Sequence, residues 1–274
     1  MELSAPPLRA VVLTGTRKNQ NALLEGTGLH NKVLLPVGGQ PMVLSVLKNI
    51  AATKYQPEIF VSTDDDDIKA LQNEVPFQTL PSENKAIRSF LKSLERLPAD
   101  TEWALFVSGD HPLLTSEMIE YFVDEAKRRN LSIAAAVVNG TLVKKHYPDS
   151  KRTYFSAKDG LFSGGNMYLV HKPSFLGNTA LFEAMDENRK RPWKTVLMLD
   201  IVSIIQIALR RLDMNEIAKR ASRFVGCSCG FIIMPFAECC MDVDKPSDRD
   251  IANRILAKRR QSAASTQADS PSVV

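Results

Sequence analysis

Arg9 to Thr14 (RAVVLT) is a short apolar run whose β-branched residues suit a central parallel strand buried on both faces. Gly15 ends it. Thr16 to Asn31 has neither a helical nor a strand period and carries Asn19, Asn21, Gly26, Gly28 and Asn31, so a long loop is expected there. After Lys32 come the apolar run Val33 to Val37, the turn Gly38-Gly39, and a helix from Pro41 to about Ala52, with proline suited to a first helical turn. Strand and helix signals then alternate: strand Glu58 to Thr63, helix Asp66 to Gln72, helix Asn84 to Leu97, strand Trp103 to Ser108, helix Thr115 to Arg129 and strand Ser132 to Val138. That order predicts an α/β fold, a mostly parallel sheet with helices on both faces.

The second half changes character. Lys151 to Ala157 and Leu161 to Val170 read as strands around the turn Lys158-Asp159-Gly160, an antiparallel insertion. Helices are expected near Ser174 to Asn188, Lys194 to Arg211 and Asp213 to Ser222, then strands at Gly230 to Met234 and Cys240 to Val243, and a last helix from Ser247 to Arg260. Residues 1–260 are read as one domain, and 261–274 (QSAASTQADSPSVV) as a tail of disordered composition.

Composition narrows the function classes. With 274 residues and 44% hydrophobic content the chain can bury a large core. Its formal charge of +4 is spread over pairs such as Lys144-Lys145 and Arg210-Arg211, without the dense basic stripe of a nucleic-acid binder. The start MELSAPPLRAVVLTG lacks a leader pattern, and the apolar segment Val196 to Leu209 is broken by Asp200, Ser203 and Gln206, so a cytoplasmic protein without stable membrane insertion is expected. Cys227, Cys229, Cys239 and Cys240 lack zinc-site spacing and read as reduced core thiols.

In an open α/β sheet, ligands gather beyond the carboxyl ends of the strands. Three such places carry chemistry. Thr14-Gly15-Thr16-Arg17-Lys18 follows the first strand, where glycine lets backbone approach a phosphate and the basic side chains neutralise it. Neither the lysine-bearing phosphate loop nor the three-glycine dinucleotide fingerprint is present. Ser108-Gly109-Asp110-His111-Pro112 follows the strand from Trp103, placing the Asp110 carboxylate at a strand end as a hard oxygen ligand suited to Mg²⁺. Asp242-Val243-Asp244-Lys245-Pro246-Ser247-Asp248 offers a second carboxylate, Asp242 or Asp244, on one face of the expected late strand, or else a helix-capping cluster. Asp64 to Asp67 read as helix-capping acids, Asn84 opens a helix whose amino end is placed either to cap or to face a nucleotide, and His111 reads as a structural neighbour of Asp110.

In order, LTGTR near the start, KVLLPVGGQPM at 32 to 42, GDHPLLT at 109 to 115 and DVDKPSD at 242 to 248 resemble the MobA-like NTP transferases, over about Arg9 to Ala257. The resemblance implies a GT-A, Rossmann-like three-layer sandwich. It also implies an enzyme that moves a nucleoside monophosphate from an NTP to a phosphorylated small-molecule acceptor and releases pyrophosphate, with Mg²⁺ or Mn²⁺. It places Thr14, Gly15, Thr16, Arg17, Lys32, Asn84 and Gly109 at the nucleotide, Arg17, Lys32 and Asp110 in catalysis, and Asp110 with Asp244 at the metal. The segments around Arg152, Gly164-Gly165-Asn166 and Arg189-Lys190-Arg191 resemble a less characterised branch, implying acceptor contacts from Arg152, Gly165, Asn166 and Lys190; a strand bulge and a solvated basic helix end explain them equally well. The loop departs from the family in having Gly15 alone and a long gap before Lys32. A GT-A glycosyltransferase and a non-catalytic nucleotide sensor remain alternatives; the former would carry Asp-x-Asp where Asp110-His111-Pro112 stands.

Overall fold

A computed structural model describes residues 8–15, 21–83, 86–177 and 211–268. The first apolar run forms β1 (Leu8–Leu13), the centre of an eight-stranded sheet. A single helical turn, α1 (Asn21–Leu24), interrupts what the sequence marks as loop, because Leu23 inserts into the core. A tight hairpin of β2 (Pro36–Val37) and β3 (Gln40–Pro41) turns through Gly38 and Gly39, both at positive φ, and leads into α2 (Met42–Ala51). There follow β4 (Glu58–Ser62), α3 (Asp66–Lys69), β5 (Gln78–Leu80), α4 (Ala86–Arg96), β6 (Trp103–Ser108), α5 (Ser116–Arg128), β7 (Ile133–Asn139) and α6 (Gly140–His146). The second half supplies β8 (Phe155–Ala157), β9 (Gly160–His171), α7 (Lys172–Leu176), α8 (Met214–Val225), β10 (Cys229–Met234) and α9 (Pro246–Ala268).

The strand order is β10-β7-β9-β6-β1-β4-β5, with β8 paired to β9. β1 runs parallel to β4 and β6, β4 to β5, and β7 to β10, whereas β9 lies antiparallel between β6 and β7. Two-residue alternation sends successive side chains to opposite faces. Ala10, Val12, Leu105 and Val107 join α2 and α5 in one core cluster, while Val11, Ala104 and Phe106 meet Leu94 and Phe175 in a second. Burying a side chain such as Phe106 contributes about 1.5–3 kcal/mol. This is the expected layered α/β architecture, with the antiparallel element in the second half.

Some expectations are corrected. Cys240 to Val243 is not a strand: a 3-10 turn spans Ala237–Cys240, and the next residues are irregular. Cys239, Cys240, Met241 and Val243 go into the core instead of along a sheet edge, and the Val243 amide donates to the Asp110 carbonyl at 3.0 Å. Lys151 to Tyr154 stay outside β8, because Arg152 turns inward to Asp242 and Asp248. The final helix continues to Ala268, through residues with tail-like composition whose alanines and glutamine extend a helix already nucleated. β5, too short and exposed to show a period, and α6, capped by an Asn139-Gly140 pair that reads as a turn, escape the sequence pattern. The helices expected from Ser174 to Asn188 and Lys194 to Arg211 lie mostly outside the described residues; α7, at Lys172–Leu176, overlaps the first. Among the described residues no helix is long and apolar enough to cross a membrane.

Candidate active site

The carboxyl ends of β1, β4 and β6 lie side by side, and the loops leaving them are bonded to one another. The Thr14 hydroxyl donates to the Ser62 carbonyl at the end of β4 (2.7 Å), and the Gly109 amide donates to the Leu13 carbonyl of β1 (2.9 Å). A Cβ on Gly109 would lie 3.3 Å from that Leu13 oxygen and 3.3 Å from the Thr14 methyl group, so this position requires close backbone approach. Thr14 is buried and its hydroxyl is used structurally, leaving the exposed Gly15 as the edge that faces outward.

Lys32 is placed by an asparagine that sequence reading treats only as a loop residue. The Asn31 carboxamide donates to the Thr14 carbonyl at 3.0 Å and accepts from the Val33 amide at 3.2 Å, capping the 3-10 turn Lys32–Leu34 and anchoring it to the end of β1. The Lys32 ammonium, 5% exposed, sits 2.5 Å from Asp110 Oδ2 and also bonds Asp244 Oδ1. Burial works against the charge, but the two carboxylates outweigh it and hold the lysine above its ordinary pKa. The other Asp110 oxygen accepts the Ser108 hydroxyl.

Asp242 completes the group. Asp110, Asp242 and Asp244 each offer one oxygen, and these oxygens lie within 4.8 Å of one another. Burial first, then the Asp110 and Asp244 charges, push the Asp242 carboxyl up to about 6, against the opposing pull of Arg152 and Lys32. Hard, closely spaced carboxylate oxygens are the donor set that Mg²⁺ or Mn²⁺ takes, so these residues fit the expected ion. Both candidates for the second carboxylate, Asp242 and Asp244, thus stand beside Asp110. They do not share a strand face; an irregular loop curls them toward Asp110.

Arg152 makes that curl. Its guanidinium is 7% exposed, donates to the Asp242 carbonyl (3.0 Å) and to Asp242 Oδ1 (2.6 Å), and bonds Asp248 Oδ1. The second Asp248 oxygen accepts the Asp244 and Lys245 amides at 3.2 and 3.1 Å. Arg152, expected at an acceptor phosphate, thus has its guanidinium engaged by the 242–248 loop.

Gly165 and Asn166 sit at a bulge. The β7–β9 register shifts between Ala135 and Val137, and a Cβ on Gly165 would lie 2.8 Å from the Ala136 Cβ. Gly165 thus serves close strand packing, as the bulge reading had it. Asn166, at φ 55°, immediately precedes Met167, which pairs with Val107, so it lies at the carboxyl end of β6 near Ser108. His111 is fully buried; its Nε2 lies 3.0 Å from the Glu238 carbonyl, and burial lowers its pKa, so it stays neutral and ties two loops together. Thr16, Arg17, Asn84 and Lys190 lie outside the described residues.

Residues 24–191 match a family model, the MobA-like NTP transferase domain. The chain belongs to this family. Membership makes it a nucleotidyltransferase, and the matched span includes Lys32 and Asp110 while leaving Thr14, Asp242 and Asp244 to its flanks. Among solved structures, a hypothetical transferase from Thermus thermophilus is 28% identical with a TM-score of 0.73, over 89% of this chain and 100% of that one. At 12% identity the likeness is one of fold: 4-diphosphocytidyl-2C-methyl-D-erythritol synthase from Anaerococcus prevotii has a TM-score of 0.55, over 92% of this chain and 98% of that one. CMP:2-keto-3-deoxy-manno-octonic acid synthetase complexed with CTP, also 12% identical, has a TM-score of 0.55, over 92% and 99%. No curated protein sequence matches the chain.

Proposed function

We propose that this nucleotidyltransferase moves the nucleoside monophosphate part of an NTP onto a phosphorylated small molecule and releases pyrophosphate, with Mg²⁺ or Mn²⁺ held by Asp110 and Asp244. The observation that carries the reading is the convergence of Asp110, Asp242, Asp244 and Lys32 beside the carboxyl ends of β1 and β6. The complex of the structurally similar synthetase with CTP supports a nucleoside triphosphate as donor.

An ionised phosphate oxygen of the acceptor attacks the α-phosphorus in line; the new P–O bond forms as the α–β bridge breaks and the electron pair leaves on pyrophosphate. No proton has to be removed and no protein nucleophile is needed, which agrees with His111 being buried and bonded away from solvent. The protein supplies placement and charge. The backbone from Thr14 to Thr16 and at Gly109 lies along the triphosphate, Arg17 and Lys32 hold the departing β- and γ-phosphates, and Asn84 borders the nucleotide. Asn166 and Lys190 contact the second substrate. When bound, the divalent ion polarises the α-phosphate and neutralises charge. Lys32 is the counter-ion of the same carboxylates, so a bound metal would share their oxygens with it.

Incubation with each NTP, Mg²⁺ and a panel of sugar and alcohol phosphates, read by pyrophosphate release, tests this. Asp110→Asn is expected to abolish release while the circular dichroism spectrum is kept. Unchanged turnover would remove Asp110 from the mechanism, and binding of NTP without turnover on any acceptor would sink the transferase reading.

A further inference from the structure

A cavity of about 600 Å³ lies apart from this cleft, between α9 and the loop that follows α6, and none of Lys32, Asp110, Asp242 or Asp244 lines it. Its α9 wall is a stripe at helical spacing: Ile251 and Ile255, then Arg254 and Lys258 one turn apart, then Arg259. His146, Tyr147, Pro148 and Asp149 line it as well, together with Glu238.

The charges there are unequally used. Glu238 accepts the Tyr147 hydroxyl at 2.7 Å and pairs with Arg259 at 3.5 Å, while Arg259 also donates to the Leu113 carbonyl at 2.9 Å. Arg254 and Lys258 are exposed and make no ion pair among the described residues. Two adjacent cations with donors to spare, beside the Tyr147 ring, Pro148 and the edges of Ile251 and Ile255, match an anion with an apolar body. Asp149 disfavours a ligand that fills the cavity with negative charge and leaves room for one anionic end.

We propose that this cavity is a binding site for a phosphomonoester with a small apolar body, its phosphate between Arg254 and Lys258 and its body against Ile251, Ile255 and the Tyr147 ring. The site is independent of the catalytic reading, since it shares no residue with the acidic cluster. A volume near 600 Å³ suits a ligand of ordinary metabolite size.

Phenyl phosphate and inorganic phosphate serve as probes, titrated calorimetrically into the full chain. Phenyl phosphate is expected to bind more tightly than inorganic phosphate, because the Tyr147 ring and the isoleucines add apolar contact. The Arg254→Gln, Lys258→Gln double variant, whose side chains are exposed and whose glutamines keep helix propensity, is expected to weaken phenyl phosphate about tenfold with an unchanged melting temperature. Lys32→Gln, in the nucleotide cleft, is expected to leave that binding as it was. Absent binding to the wild type, equal affinity in the double variant, or an equal loss in Lys32→Gln would each overturn the proposal.

Discussion

Lys32 occupies a position where one positive charge serves two carboxylates, and this sets up a competition. A divalent cation held by Asp110 and Asp244 must share their oxygens with a buried ammonium that already bonds both. Lys32→Gln is therefore expected to bind Mn²⁺ about tenfold more tightly in the absence of nucleotide, followed by the loss of the free-ion signal in electron paramagnetic resonance, while NTP binding weakens. Mn²⁺ affinity that is unchanged or lower would show that Lys32 is no competitor. Asp110 stood out in the sequence because it follows a strand end, and Lys32 only through the resemblance of its block to the family's. Asn31 and Ser108, which orient them, did not, since a capping asparagine and a strand-end serine look alike wherever they occur. The ion pairs of Arg152 were not legible either: the sequence suggested an acceptor contact, and only the tertiary path of the 242–248 loop brings Asp242 and Asp248 to it.

At the scale of elements, that loop is held by ion pairs in place of a ladder of backbone hydrogen bonds. Removing one partner of a buried pair leaves the others uncompensated and typically costs about 3–5 kcal/mol. Arg152→Gln is expected to destabilise the fold by an amount of that order, read in calorimetry as a fall in thermal midpoint of roughly ten degrees; a midpoint within experimental scatter of the wild type would mean that Asp242 and Asp248 find other partners. Gly165→Ala makes a separate case. Its added methyl group must displace Ala136, an overpacking that costs about 1–3 kcal/mol, so a drop in denaturant midpoint with little change in acceptor KM is expected. The reverse, full stability with a raised KM, would return Gly165 to the acceptor pocket. Among the described residues the longer strands and helices follow their period, whereas β5 and α6 were too short to carry one, and the supposed late strand failed because an apolar alternation that enters a core looks the same as one that lines a sheet.

For the whole molecule, the site joins elements from distant parts of the chain: β1 and the Lys32 turn, the β6 loop, and the segment ahead of α9. A ligand that bridges them stabilises the folded state by mass action, about 2.7 kcal/mol at one hundred times its dissociation constant. The preferred NTP with Mg²⁺ is thus expected to raise the melting temperature by several degrees in differential scanning fluorimetry, and EDTA or Asp110→Asn to remove most of that rise. A shift that survives both would place the nucleotide away from the acidic cluster.

The placement of β9 also governs how the chain assembles as it leaves the ribosome. β7 is made before β9, yet its two neighbours in the sheet, β9 and β10, are both made after it. While β4, β1 and β6 can already pair, β7 waits with an Ala- and Val-rich edge exposed until residue 171 has been synthesised, and β10 can then extend the sheet from it. Half of the sheet is therefore committed late and through one strand, so a nascent chain halted between β7 and β9 presents an unpaired edge, the form most open to association with other chains and to capture by a chaperone.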